Sequence, residues 1–207
     1  MNTTPLHRKS FVFVDAHLED IQTLSMHFPY EAEICLLSSN EKLLSQIATR
    51  LEGHTDVANL HLITHGRSGE ILLGKNGVSL ETLPFYGKEL LTISDAMKKN
   101  GEWFIYGCEV ALGERGAAFV STLQNVTGLK IAASTHKVGH SEFGGSWKLD
   151  AAPEMMANVL EVREWRGVLA DLVNGMGGDD GFGENSFARN DDGNTDAIDI
   201  TSVFGEQ

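Results

Sequence analysis

NLHLITHG (residues 59–66) and EWFIYGC (residues 102–108) are the two stretches that decide the fold of this chain. Each is a short run of apolar, β-branched or aromatic residues with a glycine at or beside its end, which is typical of a buried strand. Helical patterns lie between the strand-like runs. Strands that alternate with helices predict an α/β domain, with a parallel sheet and helices on both of its faces.

The rest of the chain up to about residue 134 continues this alternation. The other predicted strands are FVFVD (11–15), EICLL (33–37) and LKIAAS (129–134). Apolar residues three and four apart predict helices within 18–28 and 38–53, the second of which ends at Gly53. Further helices are predicted within 87–99, which is rich in Lys and Leu, and within 113–128, which Gly128 closes. GEILLGKNGVSL (69–80) is predicted to form a hairpin that turns at Asn76-Gly77.

Size and charge limit the functions that are open to the chain. Its 207 residues, 42% of them hydrophobic, are enough for one domain with a core and an appendage. We expect a tail over 1–10, the domain over 11–170, and a Gly/Asp-rich linker with the start of another module over 171–207. A net charge of −13 argues against a nucleic-acid partner. No apolar run is long enough to span a membrane, and the N-terminal run breaks at Asp15, too early for a signal peptide.

Two of the predicted strands end in residues that could act together chemically. His65-Gly66 ends one strand and Gly107-Cys108 ends another, and ligands bind at the carboxyl ends of the strands in an open parallel sheet. An imidazole can take the proton of a thiol and later protonate a leaving amine. The N–H groups of Gly66 and Cys108 could form an oxyanion hole. The alternative is that His65 is a surface residue and Cys108 a core residue, and the sequence pattern alone leaves both interpretations open.

Four ordered blocks of sequence resemble a known bacterial family. The blocks are HLITHGRSGEILLG, IYGCEVALGERGAAFVSTLQNVTG, IAASTHKVG and GGSWKLD. The His-Gly and Gly-Cys pair is similar to the dyad pattern of caspase-like (clan CD) peptidases, and the blocks together resemble the DUF4347 family, found near the N-termini of very large secreted adhesins. The resemblance implies a caspase-like three-layer sandwich with His65 as general base or acid and Cys108 as nucleophile.

The resemblance also implies where a substrate would bind. In such folds the strand after the nucleophile helps to wall the specificity pocket, which makes Ser134, Thr135 and His136 candidates for substrate contact. Asp15 ends the first predicted strand at the same edge of the sheet. It could read a basic side chain, orient His65, or simply cap the following helix, and the cap is the interpretation that we favour.

The C-terminal region resembles the opening of a NIDO (nidogen-type extracellular) module, from GFGENSFARNDDG onwards. A protease-like domain before such a module predicts a cysteine endopeptidase that cleaves its own linker. If Asp15 lines the pocket, Arg189 is the best candidate for the residue before the cut. If the pocket is apolar, an apolar side chain is expected there. The residues considered for the cleavage region are Leu169, Leu172, Phe182, Phe187 and Arg189.

Other functions remain open on the sequence alone. The domain could be a catalytically silent module that helps to retain or present an adhesin. Zinc binding by the histidine pairs at 61/65 and 136/140 is disfavoured, because 61 lies within a strand and no glutamate follows as in zinc proteases. We expect no cofactor in the domain, whereas Asp192, Asn194 and Asp196 offer oxygen ligands that calcium could use. The family resemblance alone implies a secreted or cell-surface location in a bacterium.

Overall fold

The computed structural model of this protein describes residues 9–152, 156 and 159–170. These all lie in the first of two compact units, which covers Met1–Leu172. In chain order the strands are β1 (Ser10–Asp15), β2 (Glu33–Leu37), β3 (Val57–Ile63), β4 (His65–Arg67), β5 (Glu70–Leu73), β6 (Asn76–Ser79), β7 (Met97–Tyr106) and β8 (Lys130–Ala132). The helices are α1 (Ile21–Ser25), α2 (Leu43–Leu51), α3 (Gly87–Ala96) and α4 (Gly113–Thr127), with short 3₁₀ turns at Leu83–Tyr86 and Ser141–Phe143.

Five strands form the parallel central sheet that the sequence predicts, in the order β2-β1-β3-β7-β8. A separate antiparallel sheet contains β4, β5 and β6. In the central sheet, β3 and β7 are neighbours, with Ile63 beside Tyr106. The segments that follow these two strands therefore leave the sheet side by side, which is the geometry that the candidate site requires.

Alternate residues of each central strand face opposite sides of the sheet, as strand geometry dictates. On the first face, Phe11 and Trp103 belong to an apolar cluster that also contains the buried residues of α2, α3 and α4. On the second face, Val12 and Phe104 belong to a cluster that contains Leu24 of α1. The layers of a three-layer sandwich are thus present, but α1 is the only helix on the second face among the described residues. The segment after β8 completes this layer with buried side chains that include Trp147, Leu160, Trp165 and Leu169.

Helix α1 is shorter than the sequence pattern predicts. Asp20 adopts a left-handed conformation and its carboxylate accepts a hydrogen bond from the Thr23 backbone N–H, so the helix begins only at Ile21. Pro29 disfavours helical geometry at the residue before it, which helps to explain why the helix does not continue to Phe28. The predicted helix over 18–28 is therefore limited to Ile21–Ser25.

Two turns also differ from the prediction. The expected eight-residue strand over 59–66 ends at Ile63, because Thr64 turns the chain out of the sheet while its N–H still donates to the Tyr106 carbonyl at 3.0 Å. The β5–β6 hairpin turns at Gly74-Lys75, where Gly74 has a φ of 55°, and not at Asn76-Gly77. Asn76 instead lies in β6, and its side-chain amide donates to the Ser39 carbonyl at 2.7 Å.

Candidate active site

The His65-Gly66 and Gly107-Cys108 backbones lie against each other at the carboxyl end of the central sheet. A Cβ atom placed on Gly66 would lie 3.0 Å from the Cys108 carbonyl oxygen, and one on Gly107 would lie 3.3 Å from the His65 carbonyl oxygen. Side chains at these two positions would crowd the opposite backbone. The glycines in the two motifs therefore permit this close approach, and the structure brings together the two segments that the sequence singles out.

The backbone N–H groups of Gly66 and Cys108 converge on a single oxygen atom. Both donate to the carbonyl oxygen of Leu169, each at 3.2 Å. These are the two donors that the sequence predicts for an oxyanion hole. Their shared acceptor is a peptide carbonyl of the chain itself.

The segment around Leu169 pairs with a second stretch of backbone, over Val138–His140. The Leu169 N–H donates to the Val138 carbonyl at 2.9 Å, and the His140 N–H donates to the Gly167 carbonyl at 2.8 Å. Gly139 and Val168 form an antiparallel bridge between these bonds. The chain thus crosses the site as an extended segment with backbone pairing, which is how proteins that bind peptides by strand addition hold them.

The Cys108 thiol lies beneath this segment and is only 2% exposed. Its sulfur accepts a hydrogen bond from the Val138 N–H at 3.1 Å and contacts the Val138 carbonyl at 3.6 Å. Burial raises the pKa of the Cys108 thiol to about 11, although backbone hydrogen bonds from Val138 and Leu169 oppose the shift. The thiol is therefore protonated at neutral pH, and its nucleophilicity depends on a group that can accept its proton.

His65 begins strand β4, which pairs antiparallel with β5. Its Nδ1 atom is buried and has no hydrogen-bond partner within the described residues. Among the same residues no hydrogen bond joins His65 to Cys108, because the thiol is bound to the Val138 backbone. The two groups that the sequence pairs therefore occupy adjoining segments, and Nδ1 of His65 has no hydrogen-bond partner among the described residues.

Comparison with known proteins identifies the family of the chain. The model of a domain of unknown function, DUF4347, matches residues 11–169. The chain belongs to the DUF4347 family. The matched region contains both His65 and Cys108 and ends at Leu169.

Other comparisons add little to this assignment. No curated protein matches the chain. Among solved structures, one described as a small-chain dehydrogenase is similar with a TM-score of 0.33 and 7% sequence identity, and the match covers 60% of this chain and 80% of that one. Within the described part of this DUF4347 domain, no helix is long and apolar enough to cross a membrane.

Asp15 of the DUF4347 domain forms hydrogen bonds with His17, two residues further along the chain. Its buried carboxylate accepts a hydrogen bond from the His17 backbone N–H at 2.9 Å and lies 3.2 Å from Nδ1 of the His17 ring. The cap of α1 is Asp20, so Asp15 stabilises the turn before the helix and not the helix itself. Among the described residues, no hydrogen bond or ion pair joins Asp15 to His65, and the side-chain partner of Asp15 is His17.

The three residues predicted to contact substrate form a loop that is held by hydrogen bonds to Asp150 and within the loop itself. The Thr135 N–H donates to the Asp150 carboxylate at 2.8 Å, and Nε2 of His136 lies 3.7 Å from the same carboxylate. The buried Ser134 hydroxyl donates to the His136 carbonyl at 3.0 Å. The residues that pair with the segment at the site are Val138 and His140, further along the same block. Their role leaves little signal in the sequence, because both residues act through backbone groups and only the glycine between them marks the position.

The described part of the DUF4347 domain contains no group of three His, Cys, Asp or Glu side chains that could hold a metal ion. Within the histidine pairs considered for zinc, His61 is stacked on Phe104 inside the sheet, with ring centroids 4.7 Å apart. The remaining predicted positions lie outside the described residues. They are Leu172, Phe182, Phe187 and Arg189 for cleavage, and Asp192, Asn194 and Asp196 for calcium.

Proposed function

We propose that this DUF4347 domain is a cysteine endopeptidase that cleaves its own chain, with Cys108 as the nucleophile and His65 as the general base and acid. One observation carries the proposal. The N–H groups of Gly66 and Cys108 both donate to one carbonyl oxygen of the chain, and these two donors belong to the adjoining segments that carry the imidazole and the thiol. Two backbone donors aimed at the oxygen that becomes negative in the transition state are the electrostatic element that acyl transfer needs.

The first half of the reaction converts a peptide bond into a thioester. The thiol proton passes to His65 as the Cys108 sulfur attacks the carbonyl carbon, and the π electron pair moves to the oxygen. The Gly66 and Cys108 N–H groups stabilise this oxyanion. When the oxyanion collapses, the C–N bond breaks and the leaving nitrogen takes the proton from His65.

The second half hydrolyses the thioester and regenerates the free cysteine. His65 takes a proton from a water molecule, whose oxygen attacks the thioester carbon. The C–S bond then breaks, the thiol regains a proton from His65, and a new C-terminal carboxylate remains on the N-terminal fragment. No oxidant, metal or cofactor enters the balance of this reaction.

The resting state requires one rearrangement before attack. The thiol is bound to the Val138 backbone and burial keeps it protonated, with its pKa raised to about 11. Rotation of the Cys108 side chain away from Val138 would let His65 Nδ1, which has no partner among the described residues, receive the proton. Apo active sites often have loose hydrogen bonds that tighten only in the reacting complex.

The second candidate function is the catalytically silent module of a surface adhesin. The covered and protonated Cys108 thiol is the observation that favours it. In that case the convergence at Leu169 would serve only to close the C-terminal segment onto the domain. Both candidates place the protein in a large secreted or surface-bound bacterial adhesin, and this placement rests on the family resemblance alone.

The test compares self-cleavage of the full chain with that of His65→Ala and His17→Ala. Purified proteins are incubated at neutral and mildly alkaline pH, with and without calcium, and intact masses are measured over time. We expect the His65→Ala chain to be cleaved about 10²–10⁴-fold more slowly, which is the usual contribution of a general base and acid. His17→Ala is the matched control, because its side chain is 66% exposed, and it should be cleaved like the wild type. A wild-type chain that stays whole in every condition would contradict self-cleavage and favour the silent module. Equal rates of cleavage in all three proteins would show that His65 takes no part in the cut.

A further inference from the structure

We propose that the bond cleaved is Leu169–Ala170, and that the site selects an aliphatic side chain in the residue before the cut. This inference rests on the proposed function and names the substrate of the same site. It is carried by the carbonyl position, the backbone pairing, the burial of Leu169 and the contacts that hold the preceding residues.

The carbonyl position identifies the bond directly. The oxygen in the candidate oxyanion hole belongs to Leu169, so the carbon that a nucleophile in this site would attack is the Leu169 carbonyl carbon. Gly66 also forms a parallel bridge with Ala170, which places the residue after that carbon alongside the His65-Gly66 segment. The leaving nitrogen, that of Ala170, would thus depart alongside the segment that carries the imidazole proposed to protonate it.

The backbone pairing fixes the direction and register of the segment. Leu169 bonds Val138, and Gly167 bonds His140, so residues 167–169 run antiparallel to 138–140 and end at the hole. A Cβ atom on Gly139 would lie 2.2 Å from the Gly167 carbonyl oxygen, so a side chain at 139 is incompatible with the pairing. A shift of one residue would turn every side chain to the other face, which removes Leu169 from its buried position.

The burial of Leu169 defines the class of side chain. Leu169 is 0% exposed and belongs to the apolar cluster on the second face of the sheet, which includes Val138 and Trp147. Asp15, the carboxylate that could have selected a basic residue, is bound to His17. A charged side chain placed here would be buried without a partner, at a cost of several kcal/mol. The site therefore fits leucine, and it does not fit the arginine at 189.

Contacts before Leu169 hold the segment in place. The Trp165 indole N–H donates to the Glu19 carbonyl at 2.7 Å, and the Arg166 guanidinium forms an ion pair with Glu142. A Cβ atom on Gly167 would lie 2.5 Å from the Trp165 ring, so the chain can turn from the anchor into the site only with glycine there. Cleavage after Leu169 would leave these anchors on the N-terminal fragment, whose new carboxylate would still occupy the site. The enzyme would thus act once, in cis, and release everything after Leu169.

The experiment maps the fragment ends of the wild-type chain and of four variants, and Cys108→Ala serves as the reference for Cys108-dependent cleavage. Wild type, Leu169→Met and Leu172→Asp should each give an N-terminal fragment that ends at residue 169. Leu169→Asp should give none, because it places a carboxylate in the apolar pocket. Ala170→Pro should also give none, because the leaving nitrogen becomes part of a ring. This second variant keeps Leu169 in place, and the Ala170 N–H has no hydrogen bond within the described residues. Circular dichroism and thermal midpoints verify that each variant is folded.

Two outcomes would overturn the bond assignment alone, and a third would overturn the proposed function as well. A Cys108-dependent fragment that ends at any residue other than 169 would refute the bond while leaving the endopeptidase intact. Ala170→Pro cleaved after Leu169 at the wild-type rate would do the same. If the wild-type chain gives no Cys108-dependent fragment, the proposed function fails and the bond assignment fails with it.

Discussion

A Cys108→Ala chain is expected to remain whole under every condition in which the wild-type chain is cut. The sulfur forms the bond that replaces the peptide C–N bond, and alanine offers no atom that could do so. The two oxyanion-hole donors are backbone groups, and one of them belongs to residue 108 itself, so the substitution leaves them in place. The expected result is therefore complete loss of the fragment with the C-terminal segment still bound, measured by intact mass over a time course.

Cys35→Ala is the matched control for this experiment. Cys35 is the second free cysteine, lies in β2 and is partly exposed, and burial raises the pKa of its thiol. Loss of a thiol as such would affect both variants, whereas loss of the nucleophile affects only one. If Cys108→Ala is clipped at the same rate as the wild type, another protease or another residue makes the cut, and the account of the site is wrong.

Replacing His61 by phenylalanine is expected to remove a large part of the acid sensitivity of the fold. His61 is 0% exposed, its ring stacks on Phe104, and neither ring nitrogen has a partner within the described residues. Burial lowers the pKa of His61 to about 3, whereas the pKa of a histidine in the unfolded chain is about 6.5. The unfolded state therefore binds the proton first as the pH falls. The contribution of neutral His61 to the free energy of unfolding is therefore fully present above about pH 6.5. It decreases by about 1.4 kcal/mol for each pH unit below that value.

Urea denaturation near neutral pH and near pH 5 measures this effect. Over that interval the wild-type chain should lose about 2 kcal/mol more free energy of unfolding than His61→Phe. Other groups titrate in both proteins, so the difference between the two pH slopes isolates His61. Phenylalanine keeps the aromatic stacking and removes the titration. Equal slopes in the two proteins would mean that His61 is not held neutral by its surroundings.

The sequence was sufficient to predict the parallel sheet and to place the His65-Gly66 and Gly107-Cys108 backbones side by side. Runs such as NLHLI and WFIY separated by helical periods predict parallel strands, and neighbouring parallel strands end at one edge of the sheet. The exact end of β3 was not predictable, because the turn at Thr64 depends on hydrogen bonds to Tyr106 and Leu72, which are distant in sequence. The site therefore has His65 in a short strand of its own.

Sequence patterns do not predict which residues pair with the segment that ends at Leu169. Val138, His140 and Leu169 meet through backbone hydrogen bonds, which depend little on side-chain identity and leave almost no pattern in the sequence. The sequence predicts Leu169 only as one of five residues in the cleavage region. Asp15 was singled out because it follows a strand, but a carboxylate at such a position can equally bind the turn next to it, as Asp15 does with His17.

The central claim, that Cys108 forms a thioester with its own chain, is tested most directly by trapping that intermediate. Wild-type and Cys108→Ala chains are incubated with neutral hydroxylamine, which attacks thioesters in place of water, and the N-terminal fragments are analysed by mass spectrometry. The Cys108→Ala chain corrects for the slow cleavage of Asn-Gly bonds by hydroxylamine. We predict a fragment that ends at Leu169 as a hydroxamate, formed only by the wild type, and the ordinary carboxylate when hydroxylamine is absent. A fragment that carries only the carboxylate in hydroxylamine, or one that also appears from Cys108→Ala, would contradict the account.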